Sequence, residues 1–299
     1  MNSKHVISKD FLEWFVGFVE GDQTPRSLLH SHVNTLPGKK GPCGNLQLVV
    51  VQKEGRILQH IRHSLNMGTV RLTREGYWRY VVSKRTHIEA LITMLNGKLV
   101  LEKRHTQFAI WVRDYNELTQ SSIAVLPRSP LCLTNAWLSG FIDAEGCFNI
   151  SLVKSPRYQT GVRVRLRFLL DQKDSLDTLT CLTLLWKGGF VGYRAKSESH
   201  CFVLDAFVHL NCVVSYLKRY KLLTEKRIVY HRWKKVLLMV QEKKHLTLDG
   251  LELIRKLKAL NRRKEKDQTT CGLTMCHFLE DTNSHKGRVS RTKTATSVR

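Results

Sequence analysis

The chain is short of acid. Against 49 lysines and arginines stand only 25 aspartates and glutamates, a formal net charge of +24 over 299 residues. An excess of that size attracts polyanions over long range. The chain also lacks any apolar run approaching the roughly 18 residues a membrane-spanning helix needs, so no membrane partner is expected. Its first residues, MNSKHVISKDF, hold no apolar core of a secretory signal. There is no HExxH pair for a hydrolytic zinc and no GxxxxGK[ST] loop for a nucleotide phosphate. The eight cysteines include no CxxC pair, which reads as reduced thiols rather than a disulfide framework. Cys271, Cys276 and His277 cluster in a polar tail, but without a fourth ligand they do not suggest zinc.

What the chain does have is one short motif written twice. Phe15 to Gln23 reads FVGFVEGDQ and Leu138 to Gly146 reads LSGFIDAEG. Each is an apolar run with a small residue at two points four apart, closing on a carboxylate. The first run, Phe11 to Val19, has almost no polar face, so its helix should be buried. Gly17 and Gly21, like Gly140 and Ala144, share one helical face and would let two backbones approach closely. If the copies pack on each other, Asp22 and Glu145 converge at two helix C-termini. The helix dipole is negative there and like charges repel. A divalent cation with a preference for hard oxygen ligands, such as Mg2+, would offset both costs.

FVGFVEGDQ and LSGFIDAEG resemble the two motifs of a single-chain LAGLIDADG homing endonuclease, and the resemblance covers residues 8 to 265. It implies that Asp22 and Glu145 bind catalytic metal, with the preceding Gly21 and Ala144 beside them in the ligand set. It implies structural roles for Glu20 and Asp143. Gln23 departs from the family, which has Gly after the first acid; Gly eases a left-handed helix end and Gln does not. Gln52 and its repeat partner Gln172 match polar groups near the family's catalytic centre, whereas Arg56 is matched by Leu176, so the two peripheries differ. Lys103 and Lys226 lie in the echoing segments LEKRHTQF and TEKRIVYH and correspond to the family's central basic residues.

Periodicity places further elements around the motifs. A strand broken by Pro25 is expected over Gln23 to Asn34, another over Leu46 to Gln52, and a helix over Lys53 to Asn66. Two strands, Thr69 to Arg74 and Tyr77 to Lys84, flank the turn Glu75-Gly76. Helices follow at Ile88 to Leu95 and Leu99 to Val112. Residues 115–133, with Pro127 and Pro130, read as a linker, and the same element order then repeats. Val162 to Phe168 alternates Val-Arg-Val-Arg-Leu-Arg-Phe, so a strand there would pack one face and present Arg163, Arg165 and Arg167 on the other. Guanidiniums in a row can grip phosphate or read guanine. Arg71, Arg74, Tyr77 and Arg79 are the matching candidates in the first repeat.

The expected fold is α/β (α+β): two pseudo-symmetric αββαββα domains, 1–114 and 134–265, with saddle-shaped antiparallel sheets on DNA, and a disordered basic tail from residue 266. The expected function is a monomeric, metal-dependent endonuclease that cuts both strands of a long duplex site and leaves short 3′ overhangs. By resemblance Mg2+ is the cofactor, Mn2+ a substitute, and Ca2+ an ion that supports binding without efficient cleavage. Organellar introns, mitochondrial or chloroplast, are the expected source. An RNA-binding intron maturase on the same fold, with intron RNA as partner, is the alternative; a silent DNA-binding regulator is a third.

Overall fold

The computed structural model describes residues 7–22, 28–34 and 43–269, with side chains described for 7–22 and 45–261. In the first repeat the elements are α1 (Lys9–Gly21), β1 (Leu28–Asn34), β2 (Cys43–Gln52), α2 (Gly55–Leu65), β3 (Thr69–Leu72), β4 (Trp78–Val82), α3 (Arg85–Leu95) and α4 (Glu102–Thr119). The second repeat has α5 (Trp137–Glu145), β5 (Gly146–Lys154), β6 (Val162–Gln172), α6 (Leu176–Leu185), β7 (Phe190–Arg194), β8 (Ser199–Leu204), α7 (Phe207–Arg219) and α8 (Lys226–Gln241). A 3-10 turn at Lys244–Leu246 then leads into α9 (Leu248–Thr269).

The strands form two antiparallel four-stranded sheets of like order, β1-β2-β4-β3 and β5-β6-β8-β7. Alternation sets their faces. Leu48, Val50, Tyr80 and Val82 point inward in the first sheet, and Val164, Leu166, Phe168, Leu170 and Phe202 in the second. Helices cover that inner side, and one continuous apolar core runs through both repeats. Tryptophans sit deep in it: Trp14 and Trp111 in the first repeat, Trp186 and Trp233 in the second. Each sheet enters its third strand through a left-handed glycine, Gly68 (φ 76°) and Gly189 (φ 88°). A Cβ at Gly68 would strike the Tyr80 ring, so that tight approach needs glycine.

The sequence pattern and the structure differ at two helix ends. Helix α4 runs to Thr119, seven residues past the expected Val112. Tyr115 and Asp114 are buried on it, and Asn116 ties its last turn to the chain beyond through both Ile123 N–H and Ile123 C=O. Helix α9 continues through Thr269, past the boundary expected at Lys266. Gln23, Pro25, Cys271, Cys276 and His277 lie outside the described residues. Among the described residues no helix is long and apolar enough to cross a membrane.

Candidate active site and nucleic-acid interface

Helices α1 and α5 cross at their glycines. A Cβ on Gly17 would lie 1.9 Å from the Trp137 carbonyl oxygen, and one on Gly140 would lie 1.8 Å from that of Trp14. One turn on, a Cβ on Gly21 would meet Ala144 Cβ at 2.6 Å and Glu145 Cγ at 3.5 Å. The absence of side chains there brings the two C-termini side by side. Asp22 caps α1, its N–H bonded to the Phe18 carbonyl, and Glu145 ends α5. Both carboxylates are buried, at 3% and 6% exposure.

The other motif acids hold the scaffold. Glu20 accepts N–H donors from Val100 and Leu101, at 3.0 and 2.8 Å, and the indole N–H of Trp137. Asp143 accepts from Leu223 N–H at 2.7 Å, from the Thr224 hydroxyl, and from the Trp14 indole at 2.8 Å. Each acid thus pins the start of a following helix segment in its own repeat and receives a tryptophan from the other. These bonds pull both acids toward the charged form, but burial outweighs them: Glu20 is pushed up to about 7, and Asp143 is also raised.

Glu145 is pushed up to about 8, first by burial and then by the charges of Asp22 and Asp171, against the pull of Lys226 and Arg104. A buried carboxyl that resists ionisation beside a second carboxyl is a site that a hard divalent cation would stabilise. The chemistry of the donor set, two carboxylates on rigid helix ends, fits such an ion.

Two cations flank the acids. Lys226 Nζ donates to the carbonyls of Ile142 and Ala144, at 3.0 and 3.1 Å, and so sits on the C-terminus of α5. Arg104 does the same for α1, donating to the carbonyls of Glu20 and Asp22. Burial lowers its pKa from the usual value, opposed by Asp22, Glu20 and Glu145. Positive charge at helix C-termini offsets the dipole. Lys103, expected as the counterpart of Lys226, is placed elsewhere. It is half exposed, with its ammonium 2.7 Å from Asp174 Oδ2. The repeat aligns lysine with lysine, yet the side chain one position later reaches the acids. Ala144, expected beside Glu145 in the ligand set, has its carbonyl bonded to Lys226 Nζ.

Gln52 and Gln172 end β2 and β6. Alternation sets them on the inner side, with Val50 and Leu170, and Gln172 is buried. Their neighbours Val51 and Asp171 lie on the outer side, where Arg194 Nη1 is 3.2 Å from Asp171 Oδ2. Sequence reasoning passed over Asp171 and Arg194, which fall in no motif, and over Arg104, which follows Lys103 in the echoing EKR segment.

The arginine strand β6 forms in the expected register but is not an open row. Arg163 is exposed. Arg165 pairs with Asp205 at 2.9 Å. Arg167 is only 7% exposed, its Nη2 donating to Asn149 Oδ1 at 3.1 Å on the adjacent strand. The acid that answers Arg165 comes from beyond β8, out of sight of the alternating run. In the first sheet Arg71 and Arg79 are exposed and lie directly opposite each other on β3 and β4. Arg74 is exposed in the turn between those strands, and Tyr77 is half-buried at the turn's end, its N–H bonded to Thr73 Oγ1 at 3.2 Å.

The sequence model of the LAGLIDADG endonuclease matches twice, over residues 15–114 and 138–237. Probable intron-encoded endonuclease 4 of Neurospora crassa is 32% identical over 253 residues, which are 83% of this chain and 44% of that protein. An uncharacterized cox1 intron-2 37.2 kDa protein of Schizosaccharomyces pombe is 29% identical over 67% of this chain and 62% of its own length. The chain therefore spans about half of these relatives. The crystal structure of the LAGLIDADG meganuclease I-AabMI bound to uncleaved DNA superposes with a TM-score of 0.67 at 22% identity, covering 83% of this chain and 98% of the other. Two matched repeats, paired glycine-crossed helices ending in buried acids, and two sheets of like order all agree: the chain belongs to the LAGLIDADG endonuclease family, in its single-chain, two-motif form.

Proposed function

We propose that this protein is an intron-encoded homing endonuclease that hydrolyses both strands of a long, non-palindromic DNA site, acting as a monomer and leaving short 3′ overhangs. The observation that carries the reading is the meeting of Asp22 and Glu145, one from each repeat, at the ends of two crossed helices. The halves, 1–114 and 134–265, each supply one sheet to the duplex and one acid to the centre. Relatives named for introns, one of them in cox1, favour an organellar origin, the mitochondrion before the chloroplast.

Asp22 and Glu145 would hold the cation, Mg2+ or in its place Mn2+. When bound, it neutralises phosphate charge, activates water and stabilises the leaving 3′ oxygen. The chain's own groups do the rest. Arg104 and Lys226 anchor the helix ends that carry the acids and bring positive charge beside the scissile phosphates. Gln52 and Gln172, at the sheet ends, orient water or phosphate. Arg71, Arg74, Arg79 and Arg163, all exposed, position the duplex with Tyr77 at the turn, phosphate contacts setting register and base contacts setting sequence; Arg165 and Arg167 are held by Asp205 and Asn149 and shape the face they stand on.

The test is selection of cleaved sites from a randomised duplex library in Mg2+. Cleavage of a defined long site is the expected result. If no duplex is cut and intron RNA binds more tightly than DNA, the maturase reading replaces this one. An RNA surface would then have to lie away from the sheets, because the deep, narrow major groove of A-form RNA is closed to such side chains.

A further inference from the structure

The two sheets present unlike rows at equivalent places. In the first, strand register lines up Val51, Arg79 and Arg71 across β2, β4 and β3. In the second it lines up Asp171, Cys201 and Gly192 across β6, β8 and β7. The internal repeat makes these the same row: Val51 and Asp171 each precede the glutamine that ends its strand. The row lies at the catalytic end of the sheet, since Leu170 pairs with Gly146, the residue after Glu145.

The chemistry of the rows is opposed. Arg71 and Arg79 are both exposed, and neither makes an ion pair among the described residues. Like charges directly across a strand pair destabilise a sheet, so this pair stands ready for an anionic or electron-rich partner. In the second row both arginine positions are gone, replaced by Gly192 and a buried Cys201. The nearby cation, Arg194, is held within the row: its Nη1 meets Asp171 and its Nη2 lies 3.2 Å from Cys201 Sγ.

We propose that the two half-sites of the target are read by unlike chemistry next to the cleavage centre. Arg71 and Arg79 specify guanine under the first sheet, and the second sheet specifies no base at the equivalent place because Asp171 locks Arg194 away from it. Arginine matches the O6 and N7 acceptors of guanine in the major groove. Glycine and a buried thiol offer no comparable fork. The inference rests on the DNA-cleaving reading above and narrows it to a substrate: a site with a guanine requirement at the inner positions of one half alone.

The test is selection of bound duplexes from a randomised library in Ca2+, with the full chain and three variants. For the natural protein, guanine should be enriched at one or two inner base pairs of one half-site only. Arg79→Ala and Arg71→Ala should lower that preference about tenfold, the discrimination of one bidentate contact, and leave the other half-site unchanged. Asp171→Asn should release Arg194 and create a guanine preference in the second half. Matching guanine preferences in both halves of the natural site would overturn the inference. So would equal loss of binding to selected and random duplexes in both arginine variants, the mark of phosphate contact alone. If Asp171→Asn fails to fold, the two exposed arginine variants still decide. Selected duplexes are then offered Mg2+. An asymmetric site that is bound but never cut overturns the nuclease reading and leaves this one standing; a symmetric site that is cut does the reverse.

Discussion

Gly17 and Gly140 each face a backbone carbonyl of the opposing helix, that of Trp137 and that of Trp14, closer than any β-carbon could approach. A carbonyl on a buried helix cannot swing aside as a flexible side chain can. Gly17→Ala or Gly140→Ala should therefore force α1 and α5 apart, at a cost of about 3 kcal/mol. Thermal unfolding should show a fall of about 10 °C in Tm. An unchanged Tm would mean the helices do not cross at these residues.

Asp22→Asn and Glu145→Gln should each remove double-strand cleavage in Mg2+ while leaving binding of the selected site within a few-fold of normal. The carboxylates lie at the centre, not on the sheet faces that would hold the duplex. Near-normal cleavage by either variant, followed on supercoiled plasmid, would sink the assignment.

Arg104 and Lys103 are adjacent in sequence but should respond differently. Arg104→Ala removes the guanidinium from the carbonyls of Glu20 and Asp22 and should slow cleavage at least tenfold. Lys103→Ala removes only an exposed ion pair with Asp174, worth about 0–1 kcal/mol, and cleavage should stay within about twofold. The reverse ranking in single-turnover assays would restore the lysine to the centre.

Glu145 and Glu20 set the expected pH response of the metal-free protein. Their carboxyls are raised from an ordinary value of 4.5 to about 8 and about 7. A raised acid binds its proton more tightly when folded, so its contribution is complete below about 4.5 and is lost as pH climbs through the folded values. Tm without metal should fall between pH 4.5 and 8. Mg2+, which favours the ionised Glu145, should raise Tm more at pH 8 than at pH 6. Calorimetry with and without chelator measures both; an Mg2+ effect that is flat with pH would contradict the coupling.

The sequence showed this fold well where local pattern and tertiary packing agree. Apolar helices with paired small residues, alternating strands and a duplicated element order gave α1, α5, β6 and both sheets. It showed less of what depends on side-chain reach. The EKR segments align Lys103 with Lys226, but side-chain direction on α4 gives the place to Arg104. Alternation put Arg163, Arg165 and Arg167 on one face correctly, yet it carried no sign of Asp205 or Asn149, whose contacts close two of the three. Helix α4 outran its polar sequence because Tyr115 found a buried place.

Trp14 donates its indole hydrogen to Asp143, and Trp137 donates its own to Glu20. Each repeat therefore completes the other's buried acid and leaves its own incomplete. A half produced alone would hold an indole with no acceptor and an acid one donor short, so these helices gain their full polar satisfaction only on assembly. The exchange is also reciprocal in kind, tryptophan to carboxylate both ways, so two copies of either half could satisfy each other by the same bonds. The contact keeps the form of a two-fold dimer whose protomers have been joined into one chain. Divergence shows at its rim, where the matching acids Glu54 and Asp174 have taken different partners across the seam: the N–H of Glu225 and the ammonium of Lys103. The centre thus keeps a two-fold exchange of bonds while the contacts at its rim differ between the repeats.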